Sequence, residues 1–290
     1  MLKKRELIMT HKMANEEQFE FWNEGIGQWW VEEDDSMNER LSILTKELFL
    51  RLNINRGDKI LDIGCGGGQT SFEASEIVGE NGYVVGADIS KILLDLAKSK
   101  YANTKNLEFK LCDVQNYEFR ENSFNKVISR FGVMFFENPI EAFKNIYDSL
   151  QEGGSLNFVC WTNVMENEFF TVATNIIIKH LNKEFPEITR APGPLAFSDE
   201  DYVKEILETS KFKNVKVEKA YSSISTNDSA KKEGDLLLKI GLGGRLLAEA
   251  NLSEKRLSAI RDELVEVSQK RQKNGKITYK ACLNYVSATK

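Results

Sequence analysis

Cysteine and histidine are scarce in this chain, with four and two in 290 residues. Cys65, Cys112, Cys160 and Cys282 lie far apart with no C-x-x-C pair, so a zinc site is not expected and no metal is assigned. The same pattern suits reduced thiols. Long apolar runs are missing too: nothing approaches the roughly 20 residues of a membrane span. Lys3-Lys4-Arg5 is followed by Glu6 and only Leu7-Ile8-Met9, too short for the apolar region of a signal peptide. The expectation is a cytoplasmic protein without membrane insertion. Nor is there an excess of positive charge. The net charge of −5 lacks the basic footprint that nucleic-acid binding normally leaves, although a local patch can hide in an acidic total. What remains is an ordinary folded composition, 41% hydrophobic and 29% charged. It is enough for one large α/β domain with helical additions.

The informative stretch is Ile60-Leu61-Asp62-Ile63-Gly64-Cys65-Gly66-Gly67-Gly68-Gln69. Ile60 to Ile63 read as a buried parallel strand. The glycines let the backbone turn sharply and approach a ligand with no Cβ in the way. From Gln69 the chain reads as a helix start, so backbone N–H groups and a positive helix end meet at one spot. A dinucleotide fingerprint would need glycine where Gln69 stands. Tyr83 to Asp88 is a second strand ending in a carboxylate twenty positions after Gly68. That is the spacing at which an acidic side chain reaches a ribose diol, because an ionised carboxylate accepts from two adjacent hydroxyls. Ser90 caps the helix that follows. Leu107 to Asp113 is a third strand, again closing on a carboxylate. Phe124 to Phe131 is a fourth, and Ser129 to Gly132 should face the crevice where the strand order reverses.

Asp62-x-Gly64-x-Gly66-x-Gly68 resembles motif I of the class I S-adenosylmethionine-dependent methyltransferases. That resemblance implies a Rossmann-like seven-stranded α/β sheet of order 3-2-1-4-5-7-6, its last strand antiparallel, and S-adenosylmethionine as cofactor with S-adenosylhomocysteine as product. It further implies that Asp113 accepts from the adenine amino group, that Val114 lies along the ring, and that Ile89 covers the other side. The cofactor-binding set expected is Asp62, Gly64, Gly66, Gln69, Asp88, Ile89, Asp113, Val114, Ser129 and Trp29. Enzymes of this kind that methylate amino groups in DNA carry an (Asp/Asn/Ser)-Pro-Pro-aromatic run after the fourth strand. With four prolines and no such run here, DNA is not expected as a partner. Ser129-Arg130-Phe131-Gly132-Val133-Met134-Phe135-Phe136, Cys160-Trp161 and Ala191 to Phe197 together resemble a bacterial branch related to the quinone-biosynthesis (UbiE-type) methyltransferases.

Four regions follow. Residues 1–50 are expected to form an N-terminal helical lid, in which 1–12 read as a loose leader, Met13 as an equally good start, and Trp29 or Trp30 as pointing inward. Residues 51–161 are the cofactor-binding core. Residues 162–211 form a helical substrate cap and the next helix. Residues 212–290 hold the last two strands, separated by an insertion at about 222–275 that reads as two helices, either a roof over the pocket or a homodimer element. His11 lies in the leader, and His180 is a general-base candidate only if its helix overhangs the pocket. Cys65 as a nucleophile would compete with the cofactor for space. No catalytic residue is assigned. The expected activity is methyl transfer to a small molecule; a protein, peptide or RNA acceptor, or a non-catalytic cofactor-binding partner or sensor, are the alternatives.

Overall fold

The computed structural model describes residues 14–290. The leader, His11 and Met13 lie outside the described residues. Three helices open the described residues, α1 (Glu16–Asn23), α2 (Gly25–Glu32) and α3 (Asp34–Leu52). A strand–helix alternation follows: β1 (Lys59–Ile63), α4 (Gln69–Val78), β2 (Tyr83–Asp88), α5 (Lys91–Lys100), β3 (Leu107–Leu111), β4 (Phe124–Arg130), α6 (Pro139–Ser149) and β5 (Leu150–Trp161). Then come α7 (Glu168–Leu181), α8 (Glu200–Thr209), β6 (Lys213–Thr226), α9 (Ala230–Leu237), α10 (Gly241–Ala248), α11 (Glu254–Arg271), β7 (Gln272–Lys273) and β8 (Lys276–Thr289).

The sheet order is β3-β2-β1-β4-β5-β8-β6, with β8 antiparallel to both β5 and β6. This is the expected Rossmann-like arrangement, and β1 lies between β2 and β4 at the point where the order reverses. From Ile60 to Ile63, β1 is buried throughout, as a strand covered on both faces must be. One strand was not expected: β7 pairs with β8 through Lys273 and Lys276. Asn274 and Gly275 between them both have positive φ, 51° and 80°, which is the geometry an Asn-Gly hairpin turn selects. The helix starts obey local chemistry. Ser90 Oγ accepts the Leu93 N–H, and Asn138 Oδ1 accepts the Glu141 N–H with Pro139 in the first turn, leaving fewer orphan donors at those ends.

Several boundaries differ from the sequence reading. The 14–30 segment is two helices, broken at Glu24, whose backbone is extended. The fourth strand stops at Arg130, and Phe131 turns left-handed at φ 65°. The insertion runs from 227 to 275 and holds three helices rather than two. The first of the two expected helices is broken after Leu237, and Gly241, at φ +66°, starts the next one. Within the insertion α9 packs on α11, while α10 and α11 both lie against α7. Among the described residues no helix is long and apolar enough to cross a membrane.

Candidate functional site

The glycine loop between β1 and α4 is shaped by close approach. Gly64, Gly66 and Gly68 all have positive φ, a conformation that L side chains rarely adopt. A Cβ on Gly64 would sit 2.6 Å from the Cα of Gly132, so β1 and the turn after β4 meet backbone to backbone. Ser129 secures that seam: its Oγ donates to Ile63 O at 2.7 Å and accepts the Gly132 N–H at 3.1 Å. At Gly66 the opposite holds, and a Cβ there would meet nothing within 4 Å. The loop is therefore tight against the sheet at Gly64 and open outward at Gly66.

Two carboxylates flank this opening. Asp88, at the end of β2, accepts the Gly66 N–H at 2.7 Å with Oδ2 and the Ser90 N–H at 2.8 Å with Oδ1. Burial raises its pKa above the usual carboxylate value, and those backbone donors oppose the shift. Asp113, two residues past β3, accepts the backbone N–H groups of Ala14 and Asn15 at 2.9 Å with Oδ2. Its Oδ1 accepts the Asn15 side-chain amide at 2.6 Å and the Gln115 N–H at 3.0 Å. Asn15 Oδ1 in turn accepts the Glu137 N–H at 2.6 Å. The start of the described chain is thus laid across the carboxylate that the sequence reading assigned to an adenine ring.

Deeper in the crevice stands Asp62, 1% exposed. Its carboxylate accepts from Ser71 Oγ at 2.6 Å. Desolvation pushes its pKa up to about 7, against the pull of the Ser71 hydroxyl and the Arg130 guanidinium. Arg130, the last residue of β4, donates to Thr45 Oγ1 at 3.0 Å and Asn38 Oδ1 at 2.6 Å. These acceptors lie seven residues apart on one face of α3. Part of Arg130 stays accessible, yet its guanidinium lies deep enough that desolvation lowers its pKa. Phe131 stacks on Trp161 with ring centroids 4.7 Å apart, and Trp161 leads on to Phe169 and Phe170. An aromatic residue held left-handed is uncommon, and such strain gathers at functional sites.

The remaining expected residues are placed unevenly. Ile89 follows Asp88, and its carbonyl accepts the Asn23 side-chain amide at 3.1 Å. Val114 is buried beside Asp113. Trp29 is buried in the main core, edge-on to Trp30. Gln69 is turned aside, accepting the Tyr101 hydroxyl and donating to Glu73, both at 2.7 Å. His180 bonds Glu263 at 2.7 Å and so ties α7 to α11. Burial pushes the Cys65 thiol well up, which keeps it neutral and a poor nucleophile. Among the described residues no three His, Cys, Asp or Glu side chains gather as a metal site. Sequence reasoning placed Arg130 in the 129–132 stretch facing the crevice but gave it no role. It missed Asn15, which carries no local signal because its partner lies 98 residues away.

Residues 60–154 match a family described as a methyltransferase domain. The chain is 29% identical over 147 residues to a demethylmenaquinone methyltransferase of Staphylococcus epidermidis, covering 50% of this chain and 61% of that protein. It is 32% identical over 130 residues to the ubiquinone/menaquinone biosynthesis C-methyltransferase UbiE of Haemophilus ducreyi, covering 42% and 50%. The chain thus spans between half and two thirds of the length of these curated relatives. Among solved structures, the YcgJ protein of Bacillus subtilis aligns with a TM-score of 0.52 at 17% identity, over 87% of this chain and 97% of that one. The cyclase SpnF aligns with 0.53 at 14% identity, over 91% and 94%. At such identities the likeness establishes the fold.

Proposed function

We propose, from the premise that this chain belongs to the class I S-adenosylmethionine-dependent methyltransferases and is related to their bacterial UbiE-type branch, that it methylates a small, partly aromatic molecule. The observation that carries the reading is the convergence of Gly66, Asp88 and Asp113 at the carboxyl ends of β1 to β3. An open glycine turn, a carboxylate at the strand end where a ribose diol would lie, and a second one, covered by Ala14 and Asn15, where a purine edge would lie fit a nucleoside-bearing cofactor. When bound, S-adenosylmethionine supplies a methyl group on cationic sulfur and leaves as S-adenosylhomocysteine.

The chain's own work is then placement. The Gly64–Gly132 seam fixes the floor of the crevice. Asp88 would hold one end of the cofactor, and the stacked rings of partly buried Phe131 and buried Trp161 would back the acceptor. Alignment of reacting atoms alone can lower a barrier by roughly 7–11 kcal/mol, so no nucleophile or acid–base pair is required. α1 and α2 exclude water by covering the edge of the crevice. There Ser90 Oγ donates to Trp22 O at 2.7 Å, and Trp22 sits edge-on to Phe135 at 5.3 Å. The aromatic wall, continued by Phe169 and Phe170, favours a planar apolar acceptor over a macromolecule. The relatives named as methylating demethylmenaquinone point the same way. Incubation with methyl-labelled S-adenosylmethionine and a panel of hydroxylated aromatic and quinol acceptors tests this, with label expected in a small organic product. Label appearing only in added RNA or protein would sink the small-molecule reading.

A further inference from the structure

We propose that Arg130 is the anchor for the α-carboxylate of the cofactor's amino-acid end. The proposal rests on the methyltransferase reading above and deepens it. Arg130 ends β4, whose Ile128 pairs with Asp62 of β1, so the side chain starts beside the floor of the crevice. Among the described residues no carboxylate lies within 4.0 Å of its guanidinium, whereas Arg40, Arg51 and Arg271 each have one. Its hydrogen bonds go to two neutral acceptors, Thr45 Oγ1 and Asn38 Oδ1. A guanidinium carries five donors in a planar fork suited to a carboxylate. Two neutral acceptors leave most of that capacity unused. Withdrawing such a cation from water without a counter-charge in contact is unfavourable, and the residue as a whole is only partly buried.

The surrounding charges set the ligand's sign pattern. Arg130 feels Asp62 from β1, Glu73 from α4, Asp34 from α3 and, more weakly, Tyr101 just past α5. Asp34 is already held by Lys100 at 2.8 Å, and Glu73 by the Gln69 amide. Asp62 has only a hydroxyl donor. A plain anion would meet repulsion from Asp62. A zwitterion would not, because its carboxylate can face Arg130 while its ammonium faces Asp62. An α-amino acid is the smallest group with that pattern. It is also the part that separates S-adenosylhomocysteine from 5′-methylthioadenosine, which keeps the nucleoside and the thioether only. The competing role for Arg130 is mechanical, as a strut between β4 and α3.

Calorimetric titration of both ligands into wild type, Arg130→Gln and Arg130→Lys separates the two. Wild type should bind S-adenosylhomocysteine much more tightly than 5′-methylthioadenosine. Arg130→Gln should weaken S-adenosylhomocysteine by about 10- to 150-fold, the span for a hydrogen bond to a charged group. It should leave 5′-methylthioadenosine within about twofold, an expectation that follows because mutations act on the group they touch. Arg130→Lys should restore part of the loss. An equal loss for both ligands makes Arg130 a strut and overturns the proposal. Should the variants fail to fold, decarboxylated S-adenosylhomocysteine on wild type decides: binding as tight as the parent overturns it, and a tenfold or greater loss upholds it. If wild type binds none of these ligands, the methyltransferase reading itself fails, which is a different result.

Discussion

At Asp62 a single side chain couples proton binding to stability and, on the proposed reading, to the cofactor. Its pKa is raised from 3.8 to about 7 in the folded chain, so between those values the folded state holds a proton that the unfolded state has released. Stability from this group is therefore full below pH 3.8 and declines as pH rises through 7, by an amount on the order of a few kcal/mol. Asp62→Asn, which cannot ionise, should melt close to wild type at pH 5 and clearly above it at pH 8. Parallel melting curves at the two pH values would remove Asp62 from the account. Cofactor binding brings an ammonium group to the same crevice and should expel the proton. Heats of S-adenosylhomocysteine binding near pH 7 should accordingly vary with the buffer's ionisation enthalpy in wild type and not in Asp62→Asn. Asp88 titrates in the same crevice but has a different task. Losing a charged acceptor costs about 1.5–3 kcal/mol, so Asp88→Ala should weaken S-adenosylhomocysteine by roughly 10- to 150-fold. Equal calorimetric affinities would remove it from the site. Asp62, Asp88 and the glycines were legible because motif spacing is local. Arg130 was not, because what distinguishes it is the lack of a counter-ion, a property of three-dimensional surroundings.

Elements join through one buried ion cluster. Arg40 on α3 is fully buried and pairs with Asp228 at 2.8 Å, just before α9, and with Glu233 on α9 at 2.7 Å. This fastens the insertion to the helix that also receives Arg130. Removing one member of a buried pair leaves the other charge uncompensated, which costs about 3–5 kcal/mol. Arg40→Met should lose stability in that range by urea unfolding, and Arg40→Met with Glu233→Gln should recover part of it. A double variant no better than the single would show that Glu233 is not the stranded charge. None of this was visible in the sequence, where Arg40 falls on the buried stripe of a helix and Glu233 looks like a solvated helix residue. Helix existence was legible from periodicity, but helix count was not. The break at Glu24 is marked only by the single Gly25 after it, and the break before Gly241 lay inside an apolar run. His180 shows the same limit. Its role as a tie to Glu263 depends on how α7 and α11 meet, which no local pattern encodes.

For the whole molecule, strand order was legible because alternating strands and helices with right-handed crossovers leave few topologies, and the motif resemblance selected among them. What could not be read was how two points 98 and 99 residues apart meet: Ala14 and Asn15 on Asp113. That contact has a kinetic consequence. The Asn15 carboxamide and two backbone amides act as a tethered ligand for the same carboxylate, and tethering makes the competitor's effective concentration high and independent of dilution. On the proposed reading, entry of the nucleoside waits on release of the tether, so the apparent affinity is reduced to the fraction of molecules in which the tether is off. In stopped-flow mixing followed by tryptophan fluorescence, the observed binding rate should rise with S-adenosylhomocysteine and then level off at the rate of release. Asn15→Ala should lift that plateau, since it deletes the side-chain half of the tether. A rate climbing linearly to the highest concentration tested, in both proteins, would mean that Asp113 is never closed against its ligand.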